Sequence, residues 1–210
     1  MHGTPGRARD WSAVFKHVPP GLEFIAIDRP GFGGEADCGP VTSLVLQANR
    51  LSPIVREMPR RRTVLVGHSY GAPVVVQTAL LNPGLIDGII LLAGALDPSL
   101  ERVHPLQSVA RWPGVRWFLP RHLRHANEEL LALRGELERL ALGVHMLATP
   151  VTIVHGERDR LVPFANVAWM KQQFSAVPIL ETHALKEEDH FLPWTQPALI
   201  QRLVSEALEQ

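Results

Sequence analysis

The chain has one cysteine, Cys38, so no disulfide can form within it, and a lone thiol fits the reducing cytoplasm expected as its location. It has no surplus of either charge. Its 21 Lys and Arg balance 21 Asp and Glu, whereas a nucleic-acid binder normally carries a basic excess, so no nucleic-acid partner is expected. It has no apolar run of membrane-spanning length; the longest candidate, residues 89–96, is far too short, and no membrane partner is expected. Residues 1–6 are polar and turn-rich, unlike a secretion signal. The histidines lack metal-ligand spacing. There is no H-E-x-x-H, and His122 with His125 has no evident third ligand, so neither a metal nor an organic cofactor is expected. Repeats and low-complexity tracts are also missing. What remains is a chain of 210 residues, 46% apolar, long enough for one domain with a substantial core.

The most informative stretch is 63–73, TVLVGHSYGAP. A β-branched apolar run reads as a short buried strand. It ends at Gly67-His68-Ser69-Tyr70-Gly71, which fits G-x-S-x-G, and a helical stretch follows over 72–81. Strand, tight turn around a serine, then helix is the context in which this motif presents a nucleophile. Side chains two residues either side of the serine would collide with the neighbouring backbone, and Gly67 and Gly71 have no Cβ to collide. The helix start also directs amide N–H groups toward an anion forming at the serine.

The rest of the chain alternates strands and helices. Trp11, Val14, Phe15 and Val18 predict a helix over 9–18, stopped by Pro19-Pro20-Gly21. Residues 22–27 read as a strand and 28–34 as a Pro/Gly loop. Thr42 or Ser43 caps a helix to about Met58, with Pro53 as a kink, and 59–62 is a basic connector. The apolar run within 86–95 reads as a strand covered on both faces. From Asp97 to Leu147 strand character is low; Pro105, Pro113 and Pro120 divide the region, and an amphipathic helix is expected over 127–147 with Gly143 as its weak point. Arg102, Arg111, Arg116, Arg121 and Arg124 crowd its first half and read as a solvated face. A strand over 150–155, a helix over 163–174, a strand over 177–185 and a helix over 195–208 complete the chain. The pattern predicts an α/β fold, a mostly parallel sheet wrapped by helices. In such sheets ligands bind beyond the carboxyl ends of the strands, where Ser69, Asp159 and the loop at Asp28 all fall.

A serine hydroxyl needs a base in reach, and the base needs a group to fix its tautomer. Asp159 follows a late strand and His190 follows the last one, giving the order serine, acid, histidine. Asp97, also after a strand, is a second candidate acid, and His183 lies close to His190 but within the expected strand. These residues, with His155-Gly156-Glu157-Arg158-Asp159-Arg160-Leu161-Val162-Pro163, Asp189-His190-Phe191, His2-Gly3-Thr4-Pro5-Gly6 and Asp28-Arg29-Pro30-Gly31-Phe32-Gly33, resemble the α/β-hydrolase family over nearly the whole chain.

That resemblance implies Ser69 as nucleophile, His190 as general base and acid, and Asp159 as orienting carboxylate. It implies an oxyanion hole from the backbone N–H groups of Thr4 and Tyr70, with Phe32 and cap residues shaping the substrate pocket. Residues 1–96 and 149–210 correspond to the hydrolase core and 97–148 to a helical cap. The implied activity is hydrolysis of a carboxylic ester or related acyl bond in a small-molecule substrate, without cofactor. Carbon–carbon bond hydrolysis and aminopeptidase activity use the same three groups, and a binding module without turnover uses the same scaffold. Oligomeric state is not readable from these residues. Family members carry strands ahead of the His-Gly turn, which here begins at His2. One flank of the elbow strand is therefore expected to lack a neighbour and the Thr4 half of the hole to lack its anchor, impairing stability and activity.

Overall fold

The computed structural model describes residues 1–57, 61–102, 107 and 112–209. The expectations for Met58, Pro59, Arg60, Pro105 and Arg111 fall outside those residues, as does the side chain of Arg116.

The sheet has four strands: β1 (Val64–His68), β2 (Gly88–Leu92), β3 (Val151–Gly156) and β4 (Leu180–Leu185). They lie side by side in chain order, and every neighbouring pair is parallel. Val64 sits opposite Gly88, Ile89 opposite Val151, and Val151 opposite Leu180. Helices α1 (Ser12–Phe15) and α2 (Leu44–Arg56) precede the sheet, and α3 (Gly71–Leu81) joins β1 to β2. Between β2 and β3 lie α4 (Pro113–Phe118) and α5 (Arg121–Gly143). Helix α6 (Asn166–Gln173) joins β3 to β4, and α7 (Leu192–Thr195) and α8 (Pro197–Glu209) close the chain. No helix among the described residues is long and apolar enough to cross a membrane.

The apolar run of β2 is buried throughout, as a central parallel strand covered on both faces must be. Successive side chains point to opposite faces. Ile89 and Leu91 join one core with Val74 and Val75 of α3 and Leu133 and Leu137 of α5, whereas Ile90 and Leu92 join the other with Trp11, Val14, Ile200 and Leu203. Helix α5 thus shares the main core with the elbow helix. It begins at Arg121 and not near Asn127, because the Pro120 carbonyl starts its ladder by accepting from Leu123 and Arg124 N–H at 3.0 and 3.1 Å. Asn127 sits inside the helix and donates its side-chain amide to the Gln107 carbonyl at 2.9 Å. Ser43 is the cap of α2, accepting from Leu46 N–H at 3.4 Å, and Pro53 lies within that helix.

Residues 22–27, expected as a strand, join no ladder. Their sequence suits a strand, but a strand exists only against a neighbour. A cavity of about 580 Å³, lined mainly by apolar side chains, separates them from Val64, Leu65 and Val66 of β1. On that flank β1 is met only by Met1 among the described residues: the Met1 nitrogen donates to the Val66 carbonyl at 2.6 Å, and His68 N–H donates to the Met1 carbonyl at 3.0 Å.

Helix α3 starts so close to β1 that a Cβ on Gly67 would lie 2.5 Å from the Gly71 carbonyl oxygen and 2.8 Å from Ala72 Cα. By contrast, a Cβ on Gly88 would meet Ala207 and Val64 side chains at 3.5 and 3.6 Å, ordinary contacts. Gly67→Ala is therefore expected to cost about 1–3 kcal/mol, with about 2–4 °C of melting temperature per kcal/mol in a chain of this size. Gly88→Ala should melt close to wild type. Equal melting temperatures for the two variants would show that the elbow is not closely packed.

Candidate active site

The elbow holds Ser69 at φ 55°, a left-handed conformation that non-glycine residues rarely adopt. It is held there from both sides. Ser69 N–H donates to the Leu92 carbonyl at the end of β2 (2.9 Å), and its own carbonyl accepts from Ala72 N–H at 3.0 Å. The turn at residues 2–6 packs directly against it: a Cβ on Gly3 would lie 2.9 Å from Ser69 Cβ, and a Cβ on Gly71 would lie 2.8 Å from the His2 carbonyl oxygen. Ser69 is half-buried and borders a cavity.

Asp159 stands just beyond β3 and His190 beyond β4, and the two loops bring them together. His190 Nδ1 donates to Asp159 Oδ2 at 2.7 Å. The other carboxylate oxygen accepts from the Leu161 and Val162 amides, each at 2.8 Å. His155 Nε2 lies 3.5 Å from Asp159 Oδ2 and bonds the Val162 carbonyl at 3.0 Å. Burial alone would raise the Asp159 pKa; hydrogen bonds from His155, His190 and the Val162 amide outweigh it and hold the carboxyl well below the usual range. Asp159 is thus an anion at neutral pH, which fixes the proton of His190 on Nδ1 and leaves Nε2 able to accept one.

His68 fastens the His190 loop, its Nε2 donating to the His190 carbonyl at 2.8 Å with the rings 4.8 Å apart. Burial, then the charge His190 carries when protonated, push His68 down to about 3. His2 holds the opposite wall. Its Nε2 accepts from Arg29 N–H at 2.9 Å, so its proton is on Nδ1, which donates to the Gly3 carbonyl at 2.8 Å. Burial, then the Arg29 charge, push it down to about 2.

Ser69, His190, Thr4, Gly3 and His68 all border one cavity of about 230 Å³, whose apolar side is made by Trp11, Leu161, Phe191 and Trp194. Among the described residues no hydrogen bond joins the Ser69 hydroxyl to His190, and nothing accepts from the Thr4 or Tyr70 backbone N–H. The Thr4 hydroxyl is buried and unpartnered. The structure thus gathers Ser69, Asp159, His190, Thr4 and Tyr70 about one turn. It does not bring Phe32 to the cavity. That ring is 1% exposed and packs edge-on against His2 and His125, behind the turn. Asp97 accepts from Ser99 N–H and Oγ at 2.8 and 2.7 Å as a local turn, while His183 lies on β4, 3.8 Å from Glu181. Among the described residues no group of three or more His, Cys, Asp or Glu is placed to hold a metal.

Two features escaped sequence reasoning. Phe191 and Trp194 form the apolar rim, and no spacing marks them for it. Arg29 lies in the Pro/Gly loop over 28–34, with nothing in the sequence to single it out, yet it anchors the Thr4 side of the site. It donates to the His2 and Gly3 carbonyls (3.1 and 2.8 Å) and pairs with Glu129, a hundred residues away. The turn expected to lack an anchor therefore has one, from a side chain and not from a strand.

A family model described as the alpha/beta hydrolase family matches residues 1–201, and the chain belongs to that family. It is 25% identical to Protein ABHD8 of Bos taurus over 242 residues, covering 99% of this chain and 55% of the relative, so it spans about half that protein's length. It is 23% identical to the 2-hydroxy-6-oxononadienedioate/2-hydroxy-6-oxononatrienedioate hydrolase of Cupriavidus pinatubonensis over 251 residues, covering 99% of this chain and 85% of that one. Among solved structures, the monoacylglycerol lipase of Paleococcus ferrophilus superposes with a TM-score of 0.75 at 17% identity, covering 99% of this chain and 91% of the other; that likeness is one of fold.

Two buried histidines contribute to the acid response. His2 and His68 stay neutral when folded but take up protons near 6.5 when unfolded, so unfolding binds protons and stability falls as pH drops below 6.5. Each such proton adds about 1.4 kcal/mol per pH unit to the slope. Asp159 contributes stability above its ordinary value of 3.8, lost as pH falls below it. Urea midpoints measured from pH 7 to 4 should decline, and His68→Gln should make that decline shallower by about one proton's worth. Parallel slopes would show that His68 titrates alike in both states.

Proposed function

We propose that the chain is a serine hydrolase acting on a carboxylic ester or related acyl bond of a small molecule. The observation that carries this reading is the 2.7 Å bond from His190 Nδ1 to Asp159, formed on the wall of the cavity that holds the strained Ser69. In the proposed reaction, Ser69 Oγ bonds to the substrate carbonyl carbon as its proton passes to His190 Nε2. The carbonyl oxygen becomes an oxyanion received by the Thr4 and Tyr70 N–H groups. His190 then gives its proton to the leaving oxygen as the carbon–oxygen bond breaks, leaving an acyl-serine. Water, deprotonated by His190, adds to the acyl carbon, and Ser69 leaves with the proton. Asp159 holds the tautomer and offsets the imidazolium charge. The apolar rim at Leu161, Phe191 and Trp194 suits an apolar acyl or leaving group.

Two other readings each have an observation behind them. The likeness to the Cupriavidus pinatubonensis hydrolase favours carbon–carbon bond hydrolysis by the same three groups. The missing Ser69–His190 hydrogen bond favours a catalytically impaired binding module, although such bonds are often long before substrate binds.

A fluorophosphonate probe with peptide mass mapping separates turnover from binding. The expected result is one adduct on Ser69, abolished by Ser69→Ala and by His190→Ala. On any 4-nitrophenyl ester that is turned over, Asp159→Asn should lower kcat by about 10⁴-fold, since an amide favours the wrong imidazole tautomer. Folded protein that takes no adduct would mean the elbow is present without a working nucleophile.

A further inference from the structure

Arg29 is the most buried cation among the described residues, 1% exposed. Its guanidinium lies over both the Phe32 and the Tyr70 ring, with Cζ 4.9 and 4.6 Å from their centroids. On one side Glu129 of α5 takes a two-point ion pair and Gln47 of α2 accepts from Nη1 at 3.0 Å. Gln47 is itself held, donating to the Val41 carbonyl at 2.6 Å and to Glu129 at 3.1 Å. On the other side Nε donates to the His2 carbonyl at 3.1 Å and Nη2 to the Gly3 carbonyl at 2.8 Å.

The Gly3 carbonyl also accepts from His2 Nδ1 at 2.8 Å, so both of its lone pairs are engaged. That carbonyl shares a rigid peptide plane with the Thr4 N–H. Turning the N–H away from its present direction requires breaking two buried hydrogen bonds, one of them from a cation. A charged donor on the carbonyl also draws electron density through the amide and makes its N–H a stronger donor.

We propose that Arg29 is a positioning residue for acyl transfer, holding the Gly3–Thr4 peptide so that the Thr4 N–H meets the oxyanion. The proposal rests on the serine-hydrolase reading above. It gives Glu129 and Gln47 the task of seating the guanidinium, so that α5 and α2 both bear on the oxyanion turn.

The test uses the double variant Arg29→Met/Glu129→Leu, which removes both charges while keeping apolar volume, a replacement buried pairs tolerate. Arg29→Lys keeps the charge but offers no planar fork. Melting temperature, kcat and KM on 4-nitrophenyl butyrate, and the rate of phosphonylation by a fluorophosphonate are measured for each. The double variant should melt within a few degrees of wild type and keep KM within about twofold, while kcat and phosphonylation each fall about 10- to 100-fold, less than the loss of a direct donor. Arg29→Lys should recover part of the rate. A folded double variant with wild-type kcat overturns the proposal, and so does a loss confined to KM. Should the double variant not fold, Arg29→Lys decides by the same split: lowered kcat at unchanged KM supports the proposal, and wild-type kcat overturns it. A wild type that neither hydrolyses ester nor takes up the probe overturns the serine-hydrolase reading, and this proposal with it, before any variant is made.

Discussion

Much of this molecule depends on how closely three backbone segments approach at one point. The end of β1, the start of α3 and the turn at residues 2–6 meet where side chains have no room, at Gly67, Gly71 and Gly3. Ser69 sits at that junction with φ 55°, a conformation that costs of order 1–3 kcal/mol and persists only where the surroundings over-determine it. The surroundings here are the bond to Leu92 and the packed start of α3. Further from the junction the structure is ordinary: a covered parallel sheet with apolar cores on both faces.

Around that junction lie several buried polar groups, and their hydrogen bonding is nearly complete. Asp159 accepts from two amides and from His190, and His2 and His68 each remain neutral with a defined tautomer. The Arg29–Glu129 pair is the most demanding of them. Both side chains are essentially shut off from water, and removing one partner from such a pair costs about 3–5 kcal/mol because the other is left uncompensated. Its members come from a loop near the chain start and from a helix in the segment between β2 and β3. The pair therefore joins parts of the sequence that the sheet alone keeps apart.

What the sequence disclosed follows the range of each signal. The elbow is local, five residues between an apolar run and a helix, and it was legible at once. Asp159 and His190 are far apart, but each follows a strand, and their order matched a known family, so their meeting was anticipated. The Arg29–Glu129 pair has no such support, since either residue alone looks like a surface charge and nothing ties one to the other across a hundred positions. Phe32 was misplaced for a related reason. An aromatic in a Gly-rich loop suggests a pocket wall, but which way the ring turns depends on His2 and His125, distant partners. Residues 22–27 have the composition of a strand, yet strand formation is a property of two segments, and composition reports only one.

The order of the strands has a consequence of its own. Because β1, β2, β3 and β4 lie side by side in the order of synthesis, the sheet can grow from one edge as the chain lengthens. Ser69 enters with the first strand, Asp159 follows the third and His190 the fourth. A chain assembled only through β3 holds the hydroxyl and the carboxylate without the imidazole between them. On the proposed chemistry a serine without its base is a weak nucleophile, so full reactivity waits on the docking of the last strand.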